Sequence, residues 1–534
     1  MKARSLISIY LILTIITSIG CRNKTPSQQE QSIQQTTAAP ETQKPTTIPT
    51  TQELTTEPVA QKPTTEKIQP DETEYYALFL EGKKVGYAIQ DRTVDGQKVT
   101  TSVDLKITLS RAGIPVSIQT KSDSFETADG KPIGFELEQN LGMMETKTVG
   151  MINDQGKLII KAGDQQMESE WPTGALMSEG VRLLHYKHGL KPGSSYSMKV
   201  FDPTAMQAID VEVKVGSKEN VNLLGRVVSL TEVASTASLA QLGSFTSTEY
   251  YDDNLELQKS VTPLMGMTVE QVACTKEFAL SENDVLEVVE KMFLSSPVPL
   301  ENLDSTKSIT YQLVRTDKLA ELQIPSNDNQ KVQQLSDGKV LVTVEPVEAP
   351  AGVSFPYKGN DAEILKAIGP SRFLQSDDPR IIKLAQQAVG DTKDAAQAAR
   401  KIESFVAGYI KNLSLSVGYA TSVEVAESRR GDCTEFAVLT AALCRAVGIP
   451  AQVVAGVAYV DDFAGMRGFG GHAWAQAYIG GKWIGLDAAF KGTGRGGYDA
   501  GHIALAAGDG EPGNFLNMGT TLGRFKIEKV TVTR

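Results

Sequence analysis

The sequence predicts an α+β protein, in which a long antiparallel β-rich region precedes a smaller mixed domain. Apolar residues alternate with polar ones from Val103 to Leu109 and from Ile209 to Val215, the period of half-buried strands. The Asp-Gly pairs at 95–96 and 129–130 favour tight turns, so these strands are expected to run antiparallel. Further along, apolar residues recur with the period of an amphipathic helix at Ile402, Phe405, Val406, Tyr409 and Ile410.

Composition excludes several classes of protein. The chain has 534 residues, 41% of them hydrophobic, and a formal net charge of −11. This acidic balance argues against a nucleic-acid partner, because phosphates are bound by clustered Lys and Arg. The 4 cysteines and 4 histidines are too few for a disulfide-rich scaffold or an array of zinc sites.

The first residues are typical of a targeting signal. Lys2 and Arg4 precede the apolar run from Leu6 to Ile16, and Ile19-Gly20-Cys21 resembles the end of a bacterial lipoprotein signal. We expect residues 1–20 to be removed and Cys21 to be lipidated. The protein would then be extracytoplasmic, anchored to a bacterial membrane and exposed to the periplasm or the cell surface. An uncleaved anchor is the alternative, although the run is short for a transmembrane span.

Composition and strand pattern divide the remaining chain. Residues 21–72 are rich in Thr, Gln and Pro and contain no aromatic residue, which predicts a disordered tether. Residues 73–300 are predicted to form a β-rich domain of unknown role. His185 and His188 in this domain are predicted to lie on one face of a short helix, where they could bind a metal. Basic side chains near the C-terminal end of a helix are also favoured by the helix dipole, which needs no metal. Residues 301–375 are expected to form a small β segment and linker, and residues 511–534 a C-terminal strand segment.

Cys433 stands where a helix is predicted to begin. It follows Gly431-Asp432 and opens a largely apolar segment that Gly448 and Pro450 terminate. Unpaired N–H groups and the positive end of the helix dipole favour a thiolate at that position, and the same groups can stabilise an oxyanion. The other two cysteines of the folded part, Cys274 and Cys444, are expected to be core residues.

His472 is the predicted base for that thiolate. The pair Gly480-Gly481 predicts a hairpin after the strand that carries His472. If the loop has two residues, Asp487 lies diagonally opposite His472 on the same face and can reach its imidazole. A three-residue loop would place Asp487 on the other face. The remaining histidine, His502, is expected to be a structural or rim residue, and Tyr419 is a weaker candidate for a second oxyanion donor.

Three motifs occur in the order found in one known family. They are Gly431-Asp432-Cys433 at a helix start, Gly448-Ile449-Pro450 before a strand, and His472-Ala473-Trp474 followed by Trp483 and Asp487. With them, residues 376–510 resemble a transglutaminase-like cysteine domain, a branch of the papain-like α+β fold. The resemblance implies that Cys433 is the nucleophile, His472 the general base and acid, and Asp487 the residue that orients His472. Ala488-Ala489 stands where the family commonly has Pro-Thr.

The predicted function is that of a thiol enzyme acting on amide bonds of proteins or peptides in the cell envelope. Water would make it a peptidase or amidase, and an amine would make it a transglutaminase-type acyltransferase; the sequence leaves both open, together with the oligomeric state. No cofactor and no metal is expected, and no acidic loop suggests calcium activation. The alternatives are a non-catalytic peptide-binding scaffold and a metal site formed by Cys433, His472 and Asp487.

Overall fold

The computed structural model describes residues 72–111, 114–141, 145–163, 165–239, 243–264, 267–287, 293–316, 322–336, 338–413, 420–463, 465–510, 518 and 521–534. Residues 1–71 lie outside this set, and they include the predicted signal peptide, Cys21 and all but the last residue of the predicted tether. Tyr419 also lies outside it. Among the described residues, no helix has the length and hydropathy needed to cross a membrane.

The N-terminal sheet contains fifteen strands, and the predicted β-rich region is confirmed. Its strands are β1 (Glu72–Leu80), β2 (Lys83–Asp95), β3 (Lys98–Arg111), β4 (Ile114–Thr127), β5 (Pro132–Leu141), β6 (Glu145–Ile152), β7 (Lys157–Ala162), β8 (Gln165–Glu170), β9 (Ala175–Leu176), β10 (Ser195–Asp202), β11 (Gln207–Leu223), β12 (Arg226–Leu239), β13 (Gly243–Tyr251), β14 (Leu257–Leu264) and β15 (Met267–Ala273). The first and last strands, β1 and β15, pair in the middle of the sheet and join two meanders, which are antiparallel except for the parallel pair of β9 and β10.

The predicted alternation places apolar side chains on the buried face of this sheet. Both stretches named above bury every second residue, from Val103 to Leu109 on β3 and from Ile209 to Val215 on β11. The turn at Gly96 has a positive φ of 58° and joins β2 to β3 through a two-residue loop, with Asp95 opposite Lys98. The antiparallel direction predicted for these strands is therefore confirmed.

Two helices accompany the N-terminal sheet, α1 (Ser178–His188) and α2 (Lys276–Ala279). Glu126 of β4 caps α1, because its carboxylate accepts the N–H groups of Glu179 and Gly180 at 2.6 and 2.9 Å. At the other end of α1, the predicted histidine pair packs on one tyrosine. The His185 Nδ1 atom is hydrogen-bonded to the Tyr196 hydroxyl, and the His188 ring stacks on the Tyr196 ring at 4.2 Å.

A small sheet brings the end of the chain back to its middle. It consists of β17 (Ser308–Arg315), β18 (Gln330–Gln334), β19 (Val340–Val344) and β26 (Phe525–Thr533), in the order β18-β19-β17-β26. Strand β26 pairs antiparallel with β17, with Ile309 opposite Val532. The predicted C-terminal strand segment thus completes the sheet of the small β segment, more than 200 residues earlier in the chain.

The second sheet carries the predicted site. Its strands are β16 (Leu294–Ser295), β22 (Ala451–Phe463), β23 (Met466–Ile479), β24 (Lys482–Leu486) and β25 (His502–Gly508), in the order β16-β23-β22-β25 with β24 also on β23. Around it lie β20 (Asn412–Leu413), β21 (Arg430–Gly431) and the helices α3 (Ala362–Lys366), α4 (Pro379–Val389), α5 (Ala395–Tyr409), α6 (Ser422–Ser428), α7 (Cys433–Ala446) and α8 (Ala488–Gly492). Helix α7 packs against β22 and β23 and is buried over almost its entire length.

Candidate active site

Cys433 is the first residue of α7, as the sequence predicts. Asp432 is the N-cap, and its Oδ1 atom accepts the Thr434 N–H at 3.1 Å. Glu435 completes a capping box by accepting the Asp432 N–H at 2.8 Å. Burial, followed by the charge of Asp432, raises the pKa of Glu435 well above its usual value.

The residue before this cap must be glycine. Gly431 has a φ of +153°, and a Cβ atom there would lie 2.3 Å from the Glu435 Cβ. Any side chain would therefore displace the capping glutamate. The backbone at the start of α7 therefore explains why glycine precedes Asp432 and Cys433 in the sequence.

The other two described cysteines differ from Cys433 in position. Cys444 lies in the middle of the core with no exposed surface, where burial raises the pKa of its thiol to about 12. Cys274 is only partly buried, so its expected core position is not fully met, and burial also raises the pKa of its thiol. Neither Cys274 nor Cys444 is the first residue of a helix packed on the strand of His472. None of the three described cysteines forms a disulfide.

The hairpin predicted after His472 has a two-residue loop. Ile479 pairs with Lys482 across Gly480-Gly481, and the ladder continues to Ala475 opposite Leu486. This register puts His472 and Asp487 on one face, and the His472 Nε2 atom lies 2.7 Å from Asp487 Oδ2. The predicted pairing of these two side chains is therefore observed.

Asp487 is held in place by contacts with two other elements. It is the N-cap of α8, where its Oδ1 atom accepts the Phe490 N–H at 2.9 Å. Its own N–H donates to Glu403 Oε1 at 2.8 Å. Glu403 is fully buried on α5 and also pairs with Lys491 at 3.0 Å. Sequence reasoning missed Glu403, because a single acidic residue beside a helix's apolar stripe normally faces solvent.

His502 is a second histidine on Asp487. Its Nε2 atom lies 3.0 Å from Asp487 Oδ2, the same oxygen that His472 contacts. His502 is completely buried, so of the two positions expected from sequence, structural or rim, the rim position is wrong. Its position at the start of β25, which pairs with β22 beside Ala458, depends on sheet order. The only sequence signal was its scarcity as one of four histidines.

The histidines set the electrostatics of Asp487. Burial alone would raise the pKa of Asp487, but the charges and hydrogen bonds of His472 and His502 outweigh it and hold the pKa well below its usual value. Asp487 is therefore a carboxylate at any physiological pH. An ionised Asp487 fixes the tautomer of His472 with its proton on Nε2 and its lone pair on Nδ1.

That lone pair is available for proton transfer. Within the described part of the chain, the His472 Nδ1 atom is buried and has no hydrogen-bond partner. The imidazole ring stacks on Phe490 at 4.3 Å, with 17° between the planes. Helix α7, which begins at Cys433, packs on β23, the strand that carries His472. Cys433 and His472 are 3% and 4% exposed.

One group in the described residues has the composition of a metal site, namely His472, Asp487 and His502. The set differs from the alternative metal site considered from sequence, in which Cys433 was the third ligand. The two distances from Nε2 to Asp487 Oδ2, 2.7 and 3.0 Å, are ordinary lengths for N–H donors to a carboxylate. Hydrogen bonds account for the arrangement without a cation.

Comparison with protein families gives one match at this site. Residues 382–488 match the Transglutaminase-like superfamily model. The chain contains a transglutaminase-like domain. The match includes Cys433, His472 and Asp487 and ends one residue into α8. His502 and Asp499 lie beyond it. Comparison with curated protein sequences finds no significant match.

Three solved structures are similar to parts of the chain. A proposed cysteine protease from Cytophaga hutchinsonii shares 20% identity, covers 43% of this chain and 83% of its own, and has a TM-score of 0.27. A β-barrel-like protein of unknown function from Brucella abortus shares 14% identity over 38% of this chain and 96% of its own, with a TM-score of 0.30. A proposed protease from Parabacteroides distasonis shares 13% identity over 72% of this chain and 66% of its own, with a TM-score of 0.18.

Proposed function

We propose that this protein is a thiol enzyme that cleaves or transfers amide bonds through a Cys433-His472-Asp487 triad. The observation that carries the proposal is the 2.7 Å contact between His472 and Asp487, inside a transglutaminase-like domain whose Cys433 begins the helix packed on the His472 strand. A cysteine helix packed on an antiparallel sheet is also the arrangement expected of a papain-like fold.

The first half-reaction would form an acyl-enzyme. His472 takes the thiol proton on Nδ1, and Cys433 Sγ attacks the amide carbonyl carbon. Backbone N–H groups at the start of α7 stabilise the oxyanion. When the tetrahedral intermediate collapses, the C–N bond breaks and His472 gives its proton to the departing amine. The product is a thioester between Cys433 and the acyl group of a protein or peptide.

The second half-reaction decides between two enzyme types. Attack by water, with His472 as base, releases a carboxylic acid and makes the protein a peptidase or amidase. Attack by a primary amine forms a new amide and makes it a transglutaminase-type acyltransferase. Both restore the Cys433 thiol and the neutral His472, so the triad serves either outcome.

Mass spectrometry of envelope proteins tests this proposal and separates the two outcomes. The full chain, Cys433→Ala and the matched control Cys444→Ala are incubated with a bacterial envelope fraction. New peptide termini that require Cys433 would indicate a peptidase, and isopeptide links that require Cys433 would indicate a transferase. If the wild type and Cys433→Ala give the same products while both are folded, the proposal is wrong.

A non-catalytic peptide-binding scaffold remains the second candidate. The observation that favours it is the low exposure of Cys433 and His472. A catalytic thiolate reacts with iodoacetamide near pH 6, whereas an ordinary thiol has a pKa near 8.5 and reacts slowly there. Slow, high-pH labelling of Cys433 together with peptide binding by Cys433→Ala would support the scaffold.

We further propose that the protein acts outside the cytoplasm, tethered to a membrane by a lipid on Cys21. The support comes from the sequence of residues 1–72. Expression of wild type and Cys21→Ala in a bacterium, followed by membrane fractionation and a labelled fatty acid, tests the anchor. Incorporation of the label that persists in Cys21→Ala would contradict it.

A further inference from the structure

His502 belongs to a buried network that the triad does not by itself require. Its Nδ1 atom lies 3.0 Å from the main-chain oxygen of Asp499 and 3.1 Å from Asp499 Oδ1. Its Nε2 atom faces Asp487. Both ring nitrogens thus point at oxygen acceptors, an arrangement that suits a doubly protonated imidazolium. The neutral alternative, in which Nδ1 accepts the Asp499 N–H, has a longer distance of 3.3 Å.

The surroundings of His502 favour its charged form. Burial alone would lower the pKa of His502, but the charge of Asp499 and the hydrogen bonds with Asp487 and Asp499 raise it to about 8. Asp499 is itself held by Arg495, whose Nε atom lies 3.1 Å from Asp499 Oδ2. Besides these groups, His472 at 5.7 Å and Tyr498 at 4.7 Å face the His502 ring.

The charges in this network balance. The cations His502 and Arg495 offset the carboxylates of Asp487 and Asp499. These four side chains together therefore place no net charge beside His472.

The network also fixes the position of the His472 ring. The Arg495 guanidinium lies over the Phe490 ring at 4.2 Å, and Phe490 stacks on His472. One edge of His472 is thus held by Asp487 and one face by Phe490. Phe490 is in turn covered by Arg495, and Asp487 is linked to Asp499 through His502.

The small sheet secures the backbone on either side of His502. The Tyr311 hydroxyl of β17 donates to the Ala500 carbonyl at 2.7 Å. Gln330 of β18 accepts the Ala504 N–H at 2.8 Å and donates to the Ala504 carbonyl at 2.9 Å. The small sheet therefore fixes the backbone of β25, the strand that begins at His502.

We propose that His502 is a positioning residue whose Nε2–H donates to Asp487 and so holds Asp487, and through Asp487 the His472 ring, in its working geometry. This inference rests on the proposed function, because it assigns His502 to the same triad. It adds a residue that lies outside the matched segment of the transglutaminase-like domain.

Two matched variants test the positioning role. In His502→Gln, the amide nitrogen can replace Nε2 and still donate to Asp487, whereas in His502→Asn the shorter side chain cannot reach that far. Alkylation of Cys433 by iodoacetamide is measured at pH 6 and pH 9 by peptide-level mass spectrometry. The ratio of the two rates within each protein removes differences in access to the buried thiol.

We expect the ratio of the alkylation rates at pH 6 and pH 9 to stay within about threefold of wild type in His502→Gln. In His502→Asn the ratio should fall at least about tenfold, the lower end of the losses seen when the hydrogen-bond partner of a metal-binding residue is mutated. Circular dichroism and thermal melting verify that each variant is folded. Wild-type ratios in both variants would overturn the proposal. Equal loss in both folded variants would also overturn it, since the Gln donor would then not replace the imidazole.

The wild type provides a test that needs no variant at His502. Nitrogen-15 spectra of the imidazoles, assigned by substituting the other three histidines in turn, should show a proton on His502 Nε2 at pH 6.5. A His502 ring without a proton on Nε2 would overturn the proposal. By contrast, a wild-type Cys433 that alkylates like an ordinary thiol, more than about 100-fold slower at pH 6 than at pH 9, would refute the triad itself. These failures are therefore distinguishable.

Discussion

Asp487 Oδ2 accepts hydrogen bonds from both His472 and His502, at 2.7 and 3.0 Å. The other oxygen of Asp487 caps α8 through the Phe490 N–H. A single carboxylate thus joins the predicted base, a second buried histidine and the start of a helix.

Asp487→Asn should separate the charge of Asp487 from its shape. The amide oxygen can still accept one N–H, but it cannot stabilise an imidazolium on His472. Loss of the equivalent charge in a catalytic triad costs up to about 10⁴ in turnover, so we expect Cys433 alkylation at pH 6 to fall at least about tenfold. Asp377→Asn, at an exposed position, is the control. A wild-type rate in Asp487→Asn would show that Asp487 does not support His472.

Gly431→Ala should damage the start of α7. The new Cβ would lie 2.3 Å from Glu435 and would need a backbone φ that alanine rarely adopts. We expect a loss of more than about 1 kcal/mol in the free energy of unfolding, measured in urea. Gly408→Ala on α5, where a Cβ meets nothing within 4 Å, should be neutral or stabilise by up to about 1 kcal/mol. Equal stability of the two variants would contradict the strained cap.

Glu403 should act through the Asp487 backbone. Glu403→Gln keeps an oxygen for the Asp487 N–H, whereas Glu403→Leu leaves that buried donor unpaired. An unsatisfied buried group costs about 1–3 kcal/mol, so Glu403→Leu should be less stable than Glu403→Gln by that amount in urea unfolding. Both variants remove the negative charge that pairs with Lys491 and Arg400, so the loss of that charge is common to the two. No difference between them would mean that the contact contributes nothing.

The N-terminal sheet should lose stability as pH rises. Burial raises the pKa of Glu249 from 4.5 to about 8, although the Tyr251 hydroxyl donates to it at 2.9 Å. The folded state therefore retains a proton that the unfolded chain releases above about pH 4.5. This stability is complete below pH 4.5 and is lost as pH passes through about 8.

The matched substitution for that effect is Glu249→Gln, which keeps an acceptor for Tyr251 and cannot ionise. One unit of pKa difference corresponds to about 1.4 kcal/mol, so wild type should lose at least that much between pH 5 and pH 8.5. The loss should be smaller in Glu249→Gln. Urea unfolding at the two pH values checks this. Parallel pH dependence of the two proteins would place the titrating group elsewhere.

Local sequence patterns predicted much of this structure. Alternation of apolar residues identified strands such as β3 and β11, and Gly-Asp before Cys433 identified the start of α7. The two-residue hairpin at Gly480-Gly481 fixed the face on which Asp487 lies. Each of these features depends on residues within about fifteen positions of one another, where helix and strand periods determine which side chains share a face.

Sequence alone determined that Cys433 begins a buried helix and that His472 and Asp487 share one face of a hairpin. Only the tertiary structure decided that His502 and Glu403 also contact Asp487, and that β26 returns to pair with β17. His502 reaches Asp487 because β25 crosses to the far side of β22, and Glu403 because α5 packs beside α8. Such contacts are set by the order of strands and the packing of helices, which no local period encodes.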